Sequence, residues 1–376
     1  MRTLIVLLLL CSTALAQAGP VEQLQAANAT YRRQVQAKDY DGAISTISRM
    51  MFIAKSSGIP LDHISVLYAR ACLNALAGHK QSALDDLRSV VAGGYTKYYE
   101  LASDHDLDSL RSDPAFRALL AELKRAHGPP PLEFDRSTPA PAFSMQFDHP
   151  TDADYLTLRR EFVVDPVVAG GNSDYDKLRA LAVWTAAQWR HSPNQMAKST
   201  DPLGILREAR AGGRFICTNY AMVLAGVARA YGMRARVLNL LPEDVETRSE
   251  AHTVAEVWLP QFNKWILADG QYGIIPEKSG VPLNAIELQQ ALASNQDVQC
   301  RGNTERCEEW KPFIVRNLYY FKIADDQRSF GAHKTKQLVL VPKGAPEPHK
   351  FAGGSEEVFA GAIYTSNPQS FYAQPE

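Results

Sequence analysis

The stretch Gly212-Gly213-Arg214-Phe215-Ile216-Cys217, with the apolar run behind it, constrains the fold more than any other part of the chain. Beyond Cys217, apolar or small residues recur at Tyr220, Ala221, Leu224, Val227, Ala228 and Tyr231. Steps of three and four residues make the buried stripe of an amphipathic helix. Gly232 supplies a residue suited to ending it. Cys217 therefore falls in the first helical turn, just after a Gly-Gly loop. Unpaired N–H groups and the positive end of the helix macrodipole favour a thiolate there, the nucleophilic form of cysteine.

Two runs further on, Ala251–Leu259 and Lys264–Gly270, read as strands joined through Pro260-Gln261-Phe262-Asn263. If Leu259 pairs with Lys264 in an antiparallel hairpin, Val254 faces Asp269. His252 then lies two residues along on the same face, with diagonal neighbours roughly 7–8 Å apart. A one-residue slip would put the two side chains on opposite faces. Cys217, His252 and Asp269 thus form a candidate nucleophile, base and orienter for covalent acyl transfer. Each has a bland reading: a buried structural thiol, a strand-end histidine, and the Asp of an Asp-Gly turn. Glu256 shares the strand face of His252 and is the rival orienter, placed behind Asp269.

The Gly-rich lead, the Cys at a helix start, "YGMRARVL", "AHTVAEVW" and "KWILADG" together resemble the transglutaminase-like superfamily over roughly residues 150–300. The resemblance implies a papain-like α+β domain with an antiparallel sheet. It also implies a catalytic triad of Cys217, His252 and Asp269, with a thioester acyl-enzyme. It places the helix ending near Gln188 and His191 beside the nucleophile, which makes these two the candidate side-chain oxyanion donors next to the Cys217 N–H. Trp184 and Trp189 read as core. Two positions depart from the usual pattern: Val254 stands where an aromatic is frequent, and Gly270 where proline is frequent.

The chain of 376 residues is long enough for two domains, and its formal net charge of −1 argues against a general nucleic-acid binder. Residues 1–18 read as a signal peptide, with an apolar run Leu4–Leu10 and small residues before the cleavage site. The rival is a lipoprotein anchored at Cys11, where Leu10 is bulkier than such signals favour. No segment is long and apolar enough to span a bilayer. Residues 19–128 read as an all-α tetratricopeptide-like domain. "KDYDGAIS" and "GHKQSALDDL" look alike, and small residues there allow close helix packing. A capping helix follows, with Asp113 as N-cap and Pro114 at its first position. Residues 129–150 read as a Pro-rich linker. Residues 151–341 form the catalytic domain and 342–376 a flexible tail. Within the catalytic domain, Tyr175–Trp189, Pro202–Arg210 and Asn284–Ala293 read as helices. Arg234–Leu241, Ile314–Ile323 and Leu338–Val341 read as strands.

Cys300 and Cys307 bracket a polar loop and are the expected disulfide of an oxidising compartment. Cys72 lies on an apolar helix face and reads as a packed thiol. A Cys72–Cys217 bridge stays open at this stage and would abolish the catalytic reading. Arg234 and Arg236 read as solvated or salt-bridged strand charges rather than ligands of a substrate carboxylate. No metal-ligand or nucleotide motif occurs, so no cofactor is expected. The chain is therefore read as a multidomain protein, periplasmic or secreted. Its expected function is a Cys-His-Asp peptidase, amidase or acyltransferase of a bacterial envelope, acting on a peptide or protein amide. A protein partner on the helical repeats is expected. The alternative is a non-catalytic scaffold that works through those repeats.

Overall fold

A computed structural model describes residues 19–331, 335–352, 354 and 356–376. The expected leader at 1–18, with Cys11, lies outside the described residues. The chain divides into two compact units, Met1–Pro129 and Pro130–Glu376.

The first unit is helical: α1 Pro20–Gln36, α2 Tyr40–Ser56, α3 His63–Leu76, α4 Lys80–Ala92, α5 Tyr98–Ser103 and α6 Pro114–His127. A 3-10 turn, His105–Leu110, precedes α6. Caps set the starts. Asp39, Asp62 and Asp113 accept the N–H of Gly42, Ser65 and Ala115 at 3.0, 3.1 and 2.8 Å. Ala43 and Ala83 are fully buried, so α1 packs on α2 and α3 on α4 at small residues. Cys72 is buried, and its thiol lies 3.5 Å from Asp104 Oδ2. Burial, then the Asp104 charge, push that thiol's pKa far up.

The second unit opens with α7 Ala153–Glu161, α8 Asp165–Val168, α9 Asp174–Ala186, α10 Pro202–Arg210 and α11 Cys217–Ala230. There follow β1 Ala235–Leu241, β2 His252–Leu259, β3 Lys264–Ala268, β4 Ile274–Lys278 and β5 Val281–Pro282. The remainder is α12 Ala285–Ala293, β6 Gln299–Gly302, α13 Cys307–Val315, β7 Tyr320–Ala324, β8 Gln337–Leu340, β9 Ile363–Thr365 and α14 Pro368–Phe371. The main sheet runs β3-β2-β1-β7-β8-β9 and is antiparallel except for the parallel β8/β9 pair. A small sheet runs β5-β4-β6. The core lies between the α11 stripe (Tyr220, Val223, Leu224, Val227) and the odd face of β2 (Ala255, Val257, Leu259) with Ile266 and Ala268 of β3.

Three expectations need correcting. Ile314 belongs to helix α13, and the strand starts only at Tyr320. Pro312 inside that helix masked its periodicity. Residues 130–150 are not a free linker. Leu132 is buried, its N–H donates to Gln289 Oε1 at 2.9 Å, and Gln146 forms a bridge with Asp326. The segment from Pro342 is not a flexible tail. It adds β9 to the sheet and covers the even face of β2, where Phe371 is fully buried. Trp265 Nε1 donates to Ala373 O at 2.9 Å and Tyr372 Oη to Glu256 Oε1 at 3.2 Å. Gly, Pro and Ser hid a segment held mainly by side chain to backbone bonds, which leave no hydrophobic period to read.

Candidate active site

Gly212, at φ 98°, turns the chain between α10 and α11, a conformation glycine adopts without strain. The approach to α11 is clasped by Ile216 N–H donating to Gln195 O at 2.9 Å and Ser192 N–H to Phe215 O at 3.1 Å. Cys217 is the first helical residue, half-buried and free, and no side chain caps the helix start. The first-turn N–H groups are therefore left to stabilise negative charge.

Leu259 pairs with Lys264, the register considered from sequence, and the ladder continues to Ala255 opposite Ala268. Asp269 lies one residue beyond β3, in a tight turn closed by Asp269 N–H to Ile274 O and Gly273 N–H to Asp269 O, both 2.8 Å. His252 Nε2 and Asp269 Oδ2 are 2.7 Å apart, and both side chains are essentially inaccessible to solvent. Asp269 Oδ2 also accepts from Trp310 Nε1 at 2.8 Å, and Oδ1 accepts from the N–H of Gln271 and Tyr272 at 2.9 and 3.1 Å. Gly270 has a physical reason to be there. A Cβ would sit 2.9 Å from Tyr220 O, so any side chain, proline included, would push the aspartate turn off α11. Val254, fully buried opposite Leu238, is wall.

His252 and Asp269 do not lie over the apolar stripe of α11, which packs on the other face of β2. They meet the helix start at the ends of the strands. Cross-links fix that junction. Thr218 Oγ1 and Thr253 Oγ1 are 3.2 Å apart, and Thr253 Oγ1 donates to Asn239 Oδ1 at 3.3 Å. With Nε2 on the aspartate, His252 Nδ1 is buried without a partner atom at ordinary hydrogen-bond range, and the Cys217 thiol interacts with this ring.

The electrostatics favour an ion pair. Burial opposes charge on all three groups. For His252 the Asp269 charge and hydrogen bond, with Cys217, outweigh burial and raise the pKa to about 10. Burial raises the Cys217 thiol, but the hydrogen bond and charge of His252 bring it below the usual range. Burial likewise raises Asp269, and its hydrogen-bonded partners, His252 first, hold it below the usual carboxylate range.

The other predicted residues divide. Glu256 is committed elsewhere, paired at 2.6 Å with fully buried Arg236 and accepting Ala285 N–H at 3.0 Å. Arg234 is half-buried, 5.2 Å from the Phe147 ring centre. Gln188 Nε2 donates back to Trp184 O at 2.8 Å. His191 is exposed. Partial burial of its ring, and then the positive charge of His252, lower its pKa. Cys300 and Cys307 are disulfide-bonded. Sequence reasoning missed α13, whose Trp310 contacts Asp269 and whose Phe313 ring lies edge-on to His252, 4.9 Å between centres. The three-residue spacing of Trp310 and Phe313 was the available signal. A cleft of about 240 Å³, lined by Thr218, Met222, Val237 and Asn239 among others, opens beside the first turn of α11.

Cys217 at the start of α11 thus lies near His252 at the start of β2 and Asp269 just beyond β3. Residues 161–270, within the second unit, match the family model of the transglutaminase-like superfamily and form a transglutaminase-like domain. No curated protein matches the chain. Among solved structures, a protein from Cytophaga hutchinsonii, provisionally named a cysteine protease, matches with 14% identity and a TM-score of 0.27. That match covers 40% of this chain and 47% of the other, less than half of its length.

Proposed function

We propose that the protein is an exported thiol-dependent amide hydrolase. The reading rests on the 2.7 Å His252–Asp269 contact, made in the register that leaves Nδ1 to the Cys217 thiol. Cys217 thiolate attacks the amide carbonyl carbon. The oxyanion is held by the Cys217 N–H and by His191, the nominated side-chain donor that is not turned back onto its own helix. As the C–N bond breaks, His252 gives its proton to the leaving amine, leaving a thioester. His252 then takes a proton from water, which attacks the thioester, releases the acid and regenerates the thiol. Asp269 keeps the imidazole in the tautomer that can do both. The cleft beside Thr218 receives part of the substrate.

Export is proposed from the apolar leader-like run and from the disulfide, which suits an oxidising compartment. The helical unit is proposed to carry a protein partner. The test is intact-protein mass spectrometry after acid quenching of wild type and Cys217→Ala mixed with a peptide-amide library. A hydroxylamine-labile adduct on Cys217, absent from the variant, is expected. No adduct, or one on Cys72, would leave the scaffold alternative standing.

A further inference from the structure

Helix α13 touches both members of the buried dyad and is anchored at its first residue. The Cys307 end is tied by the disulfide to Cys300 on β6, and β6 pairs with β4, which begins at Ile274. Ile274 closes the turn that carries Asp269. One turn into α13, fully buried Trp310 sends its indole N–H back to Asp269 Oδ2 at 2.8 Å. The covalent and hydrogen-bonded path thus closes on the aspartate. The N–H reaches the same oxygen that His252 uses.

That shared oxygen carries a chemical consequence. Oδ1 is already fixed by two backbone N–H groups, so the aspartate would keep its place without Trp310. What Trp310 adds is a donor that competes for electron density on Oδ2. A donor to a carboxylate stabilises its ionised form and weakens its pull on a neighbouring proton. A histidine that must both take and release a proton works best when that pull is limited.

We propose that Trp310 is a positioning residue of the proposed hydrolytic site, whose N–H on Asp269 Oδ2 limits the proton affinity of His252 so that it can protonate the leaving amine. The proposal rests on the triad reading. The charged and titratable groups around the dyad are Cys217 on α11, His191 before it, Tyr272 in the aspartate turn, Arg306 at the N-cap of α13 and Glu309 in its first turn. None of them hydrogen-bonds Oδ2 among the described residues. Arg306 is held over the Tyr272 ring at 4.1 Å and donates to Gln271 O at 3.2 Å.

The experiment compares wild type with Trp310→Phe in the full chain. A second protein carries benzothienylalanine at 310, which keeps the bicyclic shape and lacks only the N–H. Two readouts are taken: the rate of Cys217 alkylation by iodoacetamide against pH, and the ¹⁵N NMR titration of His252. Loss of the N–H should move the imidazolium titration, and with it the basic limit of the ion-pair window, up by about one pH unit, or about tenfold. The ion-pair window widens. A purely structural role would narrow that window or lower reactivity throughout. Unchanged or narrowed profiles in the benzothienylalanine protein overturn the Trp310 proposal while leaving the triad intact. A wild type with no acidic reactivity at Cys217 overturns the triad, and this proposal with it.

Discussion

Replacing Asp269 by Asn separates charge from size at the most densely bonded atom set in the site. The carboxylate accepts two backbone N–H groups on Oδ1 and Trp310 and His252 on Oδ2. An amide has one acceptor end. If its oxygen keeps the backbone bonds, its NH2 faces the Trp310 N–H and His252 Nε2. His252 can then bond only as the tautomer protonated on Nδ1, the atom needed to accept the thiol proton. Activity should fall by about ten-thousandfold, as expected for a wrong-tautomer histidine. The Trp310 N–H, left facing a donor, costs about 1–3 kcal/mol. For a unit of this size the melting temperature should fall by roughly 5 °C. From sequence alone, little loss of stability is expected; the four donors around the aspartate change that. The assays are differential scanning fluorimetry and iodoacetamide labelling of Cys217 at about pH 6. An unchanged melting temperature with labelling within about threefold of wild type would refute the reasoning, since both effects follow from one donor count.

Further outcomes follow from the same geometry. Glu256→Gln should destabilise the fold by about 3–5 kcal/mol in urea titration, because it strands a buried Arg236 guanidinium. Deleting residues 368–376 should cost at least about 3 kcal/mol, since Phe371 is fully buried and its carbonyl accepts from Arg236 Nη1 at 2.5 Å. A truncated chain as stable as wild type would restore the flexible-tail view. The stability difference between wild type and His252→Ala should depend on pH. The pKa of His252 is raised to about 10, so its contribution is full below the unfolded value of about 6.5 and lost as pH rises through the folded one. Asp269 is shifted down, so its share is present above about pH 4 and lost as pH falls through its lower folded value. The difference should therefore peak between about pH 4 and 6.5 and vanish above about pH 10. A flat difference would contradict the dyad.

The parts legible in the sequence were those with a period or a cap. The α11 stripe, the Pro202–Arg210 helix and the β2/β3 hairpin were readable, because a one-residue slip would bury the wrong face. Asp113 with Pro114 marked a helix start from composition alone. What escaped was held by contacts remote in sequence. Trp310 reaches Asp269 from a short helix disguised by Pro312, and the Phe371–Ala373 segment is fixed by Arg236 and Trp265 from the other end of the unit. Glu256 looked like an orienter by alternation. Only the tertiary placement of Arg236 shows why it is unavailable.

The most direct measurement is the rate of Cys217 alkylation by iodoacetamide at about pH 6 and about pH 8, read by peptide mass spectrometry with Cys72 as the internal unreactive thiol. An ordinary cysteine with pKa of about 8.5 loses roughly 80-fold in thiolate between those two pH values. A thiolate held by a buried imidazolium should lose less than about threefold. A loss near 80-fold, or labelling of Cys72 on equal terms, would contradict the assignment of Cys217, His252 and Asp269 as a working triad.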